Sequence, residues 1–214
     1  MVRELLKLLI LNFDVKWGFK IISLYNKNKQ GRVLQGDLLK NVKLPLVFTN
    51  SINIIKSNYL IVLSQDCDLN QDYSARNNSK GIDIDENLDK LQALNNKFLP
   101  SVLLCPAYPA GQLREGVHLQ FLDLPMSEIS KPGKTPWKKI CQNETPRYHY
   151  LHKYEPFEIP DLVLDFKRYY TVPREYLYDI YNDVYLASLG VLYRENLSQR
   201  FANYLSRIGL PDLS

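Results

Sequence analysis

Residues 59–73 read YLIVLSQDCDLNQDY, and the fold turns on how they are read. Tyr59, Leu60, Ile61, Val62 and Leu63 form an unbroken apolar run rich in β-forming side chains. Such a run, with no polar alternation, predicts a strand covered on both faces. Ser64 and Gln65 end it, and Asp66, Cys67 and Asp68 follow. Two carboxylates flank a thiol where buried strand becomes loop. Rigid scaffolds place chemistry at such junctions.

Working outward, further strands are expected at 19–25, 44–49, 51–56, 101–105, 117–121, 148–152, 162–166 and 168–172. The polar stretch 70–87 has Asn77, Asn78, Ser79, Lys80 and Gly81 at its centre and reads as a mobile loop. Leu88, Leu91 and Leu94 give 86–97 a helical spacing. Pro109 and Gly111 make the next segment a loop, and prolines and lysines over 128–146 argue against any regular element. Leu5, Leu6, Leu8, Leu9 and Phe13 predict an amphipathic helix over 1–16. After Pro173 the period changes to 3.6, with Tyr176, Leu177, Ile180 and Val184 on one stripe, then Leu197, Phe201 and Leu205 on a second. The expectation is one domain over 1–214: an N-terminal helix, a β-rich body at 19–172 with a polar insertion at 70–97, and a helical pair at 173–208.

Hydrophobic residues make up 45% of the 214 and charged residues 23%, which places the chain with ordinary globular proteins. A net charge of +4 is too small to argue nucleic-acid binding alone. The 15 tyrosines are a heavier load, suited to cores, interfaces and base stacking. Cys67, Cys105 and Cys141 are widely spaced, which is no disulfide framework, so a cytoplasmic location with reduced thiols is expected. The apolar stretch Leu5–Leu11 is too short to span a bilayer, so no stable membrane insertion is expected.

Asp66 and Asp68 are candidate Mg²⁺ ligands, because paired carboxylates can hold a hard cation. Cys67 and Cys105, with His149, are the weaker alternative as zinc ligands, one short of the usual four. Arg147, Tyr148, Tyr150, Lys167 and Tyr169 interleave basic and aromatic side chains, the pattern that suits single-stranded nucleic acid. His149 is placed to move a proton and Arg168 to hold a phosphate.

Several phrases in order resemble the MazF/PemK family of small β-barrel toxins: Gly36-Asp37, Val62-Leu63-Ser64, Leu104-Cys105-Pro106, and Asp165 with Arg168, followed by a terminal helix. The resemblance spans roughly 33–190. It implies an SH3-like or strongly bent small β-barrel, dimerisation and metal-independent cleavage of single-stranded RNA. The family's arginine before the serine-ending strand is not matched, since Ser57-Asn58-Tyr59 stands there. Its serine or threonine after the cysteine–proline is replaced by Ala107-Tyr108-Pro109.

The combined expectation is a mainly β protein with terminal helices that acts on nucleic acid, as an endoribonuclease of toxin–antitoxin or defence type. Asp66, Asp68, His149 and Arg168 are its expected catalytic set, working with Mg²⁺ or with no cofactor. The alternative is a non-catalytic RNA- or DNA-binding or protein-interaction module. Surplus tyrosine and leucine in the last helices point to a homodimer or a partner protein.

Overall fold

A computed structural model describes residues 23–28, 30–48, 51–80, 88–129 and 133–207. The helix expected over 1–16 lies outside them, as does most of the strand expected over 19–25. Eight strands form one antiparallel sheet: β1 (Tyr25–Asn26), β2 (Asp37–Phe48), β3 (Ser51–Val62), β4 (Ser101–Pro109), β5 (Tyr148–Leu151), β6 (Leu162–Asp165), β7 (Tyr170–Pro173) and β8 (Tyr185–Leu189). The strand path is β1-β8-β2-β3-β4-β6-β5, with β7 also on β4. Its ends do not pair with each other among the described residues, so the sheet is open. The helices are α1 (Asp66–Ser79), α2 (Leu88–Asn95), α3 (Ala110–Glu115), α4 (Thr135–Cys141), α5 (Arg174–Val184) and α6 (Val191–Leu205).

The apolar run at 60–63 is buried on both faces, as its composition requires. Successive strand residues point to opposite sides. Leu38, Ile61, Leu63 and Cys105 join one core with Phe166, Leu197 and Phe201, under α6. Leu39, Leu60, Val62 and Leu104 join another with Leu69 and Leu177, under α1 and α5. A third core gathers Tyr108, Leu113, Trp137 and Val163 beyond the end of β4.

Four readings of the sequence need correction. The segment after Gln65 is helical from Asp66 to Ser79, where a loop was expected from 70. Only Leu69, Asp72 and Ala75 of α1 are buried, so it has almost no apolar stripe to read. Polar ties hold it instead: Asp72 accepts from the Leu99 backbone N–H (2.9 Å), Arg76 (2.7 Å) and Arg174 (2.8 Å). The segments expected to be irregular at 109–115 and 128–146 contain α3 and α4. Pro136 lies in the first turn of α4, where a missing N–H costs nothing, and Trp137 and Ile140 are buried one turn apart. Residues 117–121 are no strand; a short 3-10 turn covers Gln120–Leu122. The expected C-terminal helical pair is split by β8, which pairs with β1 and β2.

β4 is where the sheet changes partners. Its first half, Ser101–Leu104, pairs with β7, and its last three residues, Ala107–Pro109, pair with β6. Five residues, 165–169, thus span what Cys105 and Pro106 span on β4. This bulge is fixed at its base by Asp165, which accepts from the Lys167 backbone N–H at 3.1 Å and, through its carbonyl, from that of Arg168 at 2.9 Å. On its other edge β4 meets β3 only from Leu60–Pro106 to Val62–Leu104. Beyond Leu60 the two strands part.

Candidate functional site

A pocket of about 220 Å³ opens where β3 and β4 part. Lys56 and Asn58 wall it from β3, Tyr108 from β4, His118 and Phe121 from the loop after α3, and Tyr170 from β7. Gly116 makes the loop possible. It caps α3 in the left-handed region at φ +76°, and a Cβ there would run into the Met126 carbonyl. The next two residues therefore turn back over β4. His118 packs edge-on against the Tyr108 ring, with centroids 4.7 Å apart.

Tyr108 and His118 are only 7% and 8% exposed, yet Tyr108 Oη and His118 Nδ1 have no hydrogen-bond partner. Arg168 Nε, on the bulge, is likewise buried and unpartnered. Buried polar groups are nearly always paired, so three orphans in one neighbourhood ask for a ligand or water. Burial pushes His118 below its ordinary pKa; Arg168 and Arg147 push it further down, while Asp165 and the Gln112 carbonyl oppose them. The imidazole is therefore neutral at neutral pH and able to accept a proton. Burial raises the Tyr108 and Tyr170 hydroxyls, against the pull of Arg168, so both stay protonated and can donate hydrogen bonds.

The residues expected to share a site lie in separate neighbourhoods. Asp66 is bound by Arg32, with both guanidinium contacts at 3.1 Å, and Arg194 stands 3.8 Å away. Burial alone would raise the Asp66 carboxyl, but these cations hold it below the usual carboxylate range. Asp68 is exposed two positions further along α1, and residues two apart on a helix do not face each other. Cys67 is exposed beside it, while Cys105 is fully buried in β4. Among the described residues no group of three or more metal-ligating side chains comes together.

His149 is 3% exposed and packs beside Phe166, and burial and then Arg200 push it down to about 3. It faces away from Tyr148 and Tyr150, its neighbours on β5. Arg147 is committed to Asp165 at 2.7 and 2.5 Å and stacks over Tyr148. Tyr148, Tyr150 and Tyr170 are half-buried, Lys167 is exposed, and Tyr169 is exposed with its ring edge against Phe201. Arg168 alone of the expected catalytic set belongs to the pocket's surroundings. Sequence reasoning missed His118, Tyr108 and Lys56. The signal was present in Val117-His118-Leu119: a histidine between apolar residues just after a glycine.

A second polar cluster backs the sheet. Asp37 is fully buried and accepts from Ser188 Oγ (2.5 Å), Tyr181 Oη (2.6 Å) and the Leu34 backbone N–H (2.7 Å). Every lone pair it needs is used within the fold, so this cluster is structural. Burial nevertheless pushes Asp37 up to about 6. The folded state then binds a proton more tightly than the unfolded chain, whose aspartate titrates near ~4. The stability this supplies is complete below pH ~4 and is lost as pH rises through about 6. Urea unfolding should show wild type losing up to roughly 3 kcal/mol relative to Asp37→Asn between those pH values, and nothing further above pH ~7. A difference that stays constant with pH would contradict this.

No family model matches the chain, and no curated protein matches it. Among the described residues no helix is long and apolar enough to cross a membrane.

Proposed function

We propose that the protein acts on single-stranded RNA at the β3–β4 pocket, as a metal-independent endoribonuclease. The observation that supports this reading is a pair of buried, unpartnered atoms, Tyr108 Oη and His118 Nδ1, at one opening walled by a lysine and two further aromatic rings, with Arg168 near enough for its charge to act on both. His118 would take the proton from a ribose 2′-hydroxyl, and that oxygen would attack the adjacent phosphorus. Arg168 and Lys56 would balance the charge that gathers on the phosphoryl oxygens, with Tyr108 and Tyr170 donating hydrogen bonds. The P–O5′ bond breaks and the departing O5′ takes a proton from water, while His118 gives up its own to solvent, leaving a 2′,3′-cyclic phosphate and a 5′-hydroxyl. The chemistry needs the 2′-hydroxyl, so DNA would bind without being cut. In this reading β2, β3 and β4, with cores on both faces, are an opened counterpart of the MazF/PemK family's SH3-like barrel, and a toxin–antitoxin or defence role comes with it.

Binding without cutting is the second reading. Phe121 favours it: the ring is 52% exposed at the pocket rim, where a base can stack. The same assay separates the two. Mixed-sequence RNA and DNA oligonucleotides are incubated with the protein in EDTA or in Mg²⁺, and the products' ends are identified. RNA cleavage in EDTA to cyclic-phosphate ends supports the first reading. Retention without cleavage supports the second. Cleavage only with Mg²⁺ would overturn the metal-independent mechanism. Neither binding nor cleavage under any condition would overturn both readings.

A further inference from the structure

β2 and β3 run on together beyond the body of the sheet. β8 pairs with β2 only at Asp37–Leu39, and β4 pairs with β3 only at Leu60–Val62. Among the described residues, Val42–Phe48 and Ser51–Ser57 have no strand partner but each other. Their inner face carries Val42 and Leu44, buried in the core under α5. Alternation puts Lys43 on the outer face, and the register sets it directly opposite Lys56.

Directly opposed side chains on an antiparallel pair stand with Cβ atoms about 5 Å apart, and like charges there are destabilising. Both lysines are exposed, and among the described residues neither has a carboxylate within ion-pair distance. The next pair outward on this face joins Pro45 to Ile54, which is 71% exposed. Lys56 also walls the pocket described above. A repelling cation pair, continuous with a pocket that holds a buried unpartnered hydroxyl and flanked by an exposed apolar side chain, is suited to a ligand with repeated phosphates and flat apolar faces.

We propose that Lys43 and Lys56 form a phosphate-backbone contact, and that the outer face of the β2–β3 ribbon is the track along which a single strand of nucleic acid leaves the pocket. This rests on the function proposed above and names the path of the ligand. The contact reads charge and not sequence, because ammonium groups on phosphate carry no base information. It also relieves a repulsion present in the free protein.

The test is fluorescence anisotropy of a labelled 2′-O-methyl oligoribonucleotide, which cannot be cut, across a range of salt. Each single-strand phosphate contact contributes about 0.7 to the slope of log affinity against log salt. Lys43→Gln with Lys56→Gln should lower the slope by about 1.4, equally for oligonucleotides of different sequence. Lys43→Glu replaces the repulsion with an opposite-charge pair. It should raise the thermal midpoint of the free protein by about 1–2 °C while weakening binding. An unchanged slope in the double variant, with the wild type binding well, overturns this proposal together with the part given to Lys56 in the charge balance, and leaves the His118-centred cleavage standing. Absence of salt-dependent binding by the wild type overturns both. Inorganic phosphate that raises the thermal midpoint as much as the oligonucleotide, at equal phosphate concentration, overturns the strand track in favour of an adventitious ion only.

Discussion

Replacing His118 with alanine should slow RNA cleavage in EDTA by about 10²- to 10⁴-fold, the range that a positioned general base contributes. The effect should fall on kcat more than on KM, because the imidazole is assigned to the proton and not to holding the strand. The wild-type rate should rise with pH through a value below the ordinary histidine pKa and be flat at neutral pH, since burial and the nearby arginines lower His118. His152→Ala, at an exposed position just past β5 and outside the pocket lining, is the control and should cleave at the wild-type rate. Circular dichroism separates lost chemistry from lost structure. An alanine variant that cuts at the wild-type rate would remove His118 from the mechanism.

Asp165→Ala should cost about 3 kcal/mol of stability, which for a chain of this size lowers the thermal midpoint by roughly 10 °C. Asp165 is fully buried and takes two contacts from Arg147, while also tying down the Lys167 N–H. Removing one partner strands the other charge, which is why such losses exceed the worth of the pair itself. The figure sits at the low end of the range because the Arg147 side chain keeps 28% of its surface in water. The same substitution should loosen the 165–169 bulge and with it the placement of Arg168. Nucleic-acid affinity should then fall even at temperatures where the variant is fully folded. A midpoint within about 1 °C of wild type would show that the bulge does not depend on this carboxylate.

The readable parts of the fold are those where apolar pattern decides the outcome. The run at 59–63 had to be a strand buried on two faces, and Tyr148–Leu151 an edge strand. α1 was not readable because, besides the local Asp72–Arg76 pair, Asp72 holds it through hydrogen bonds to residues 27 and 102 positions away, ties that no local pattern carries. β8 was hidden for a related reason: Tyr185–Leu189 continues the helical stripe of α5, and pairing with β1 and β2 overrides that preference.

The candidate site divides the same way. Arg168 was nominated from its place after a strand-ending aspartate, and it does lie near the pocket. Asp66 looked free for a metal because Arg32 lies 34 residues away in sequence, yet it is the carboxylate's direct partner. His149 and Tyr148 are adjacent in sequence, but strand alternation sends one into the core and the other toward Arg147. His118 is inconspicuous in the sequence because the alternation around it resembles an ordinary strand. Its position depends on a left-handed glycine two residues earlier.

The most direct test of the central claim is where RNA touches the protein. An oligoribonucleotide carrying 4-thiouridine is bound to the full chain, irradiated, and the crosslinked peptides are sequenced by mass spectrometry. Crosslinks at Tyr108, Phe121 and Tyr170 are predicted, and Lys56→Glu should diminish them. Crosslinks confined to Tyr148, Tyr150 and Tyr169, or none at an RNA concentration that saturates binding, would contradict the assignment of the β3–β4 pocket.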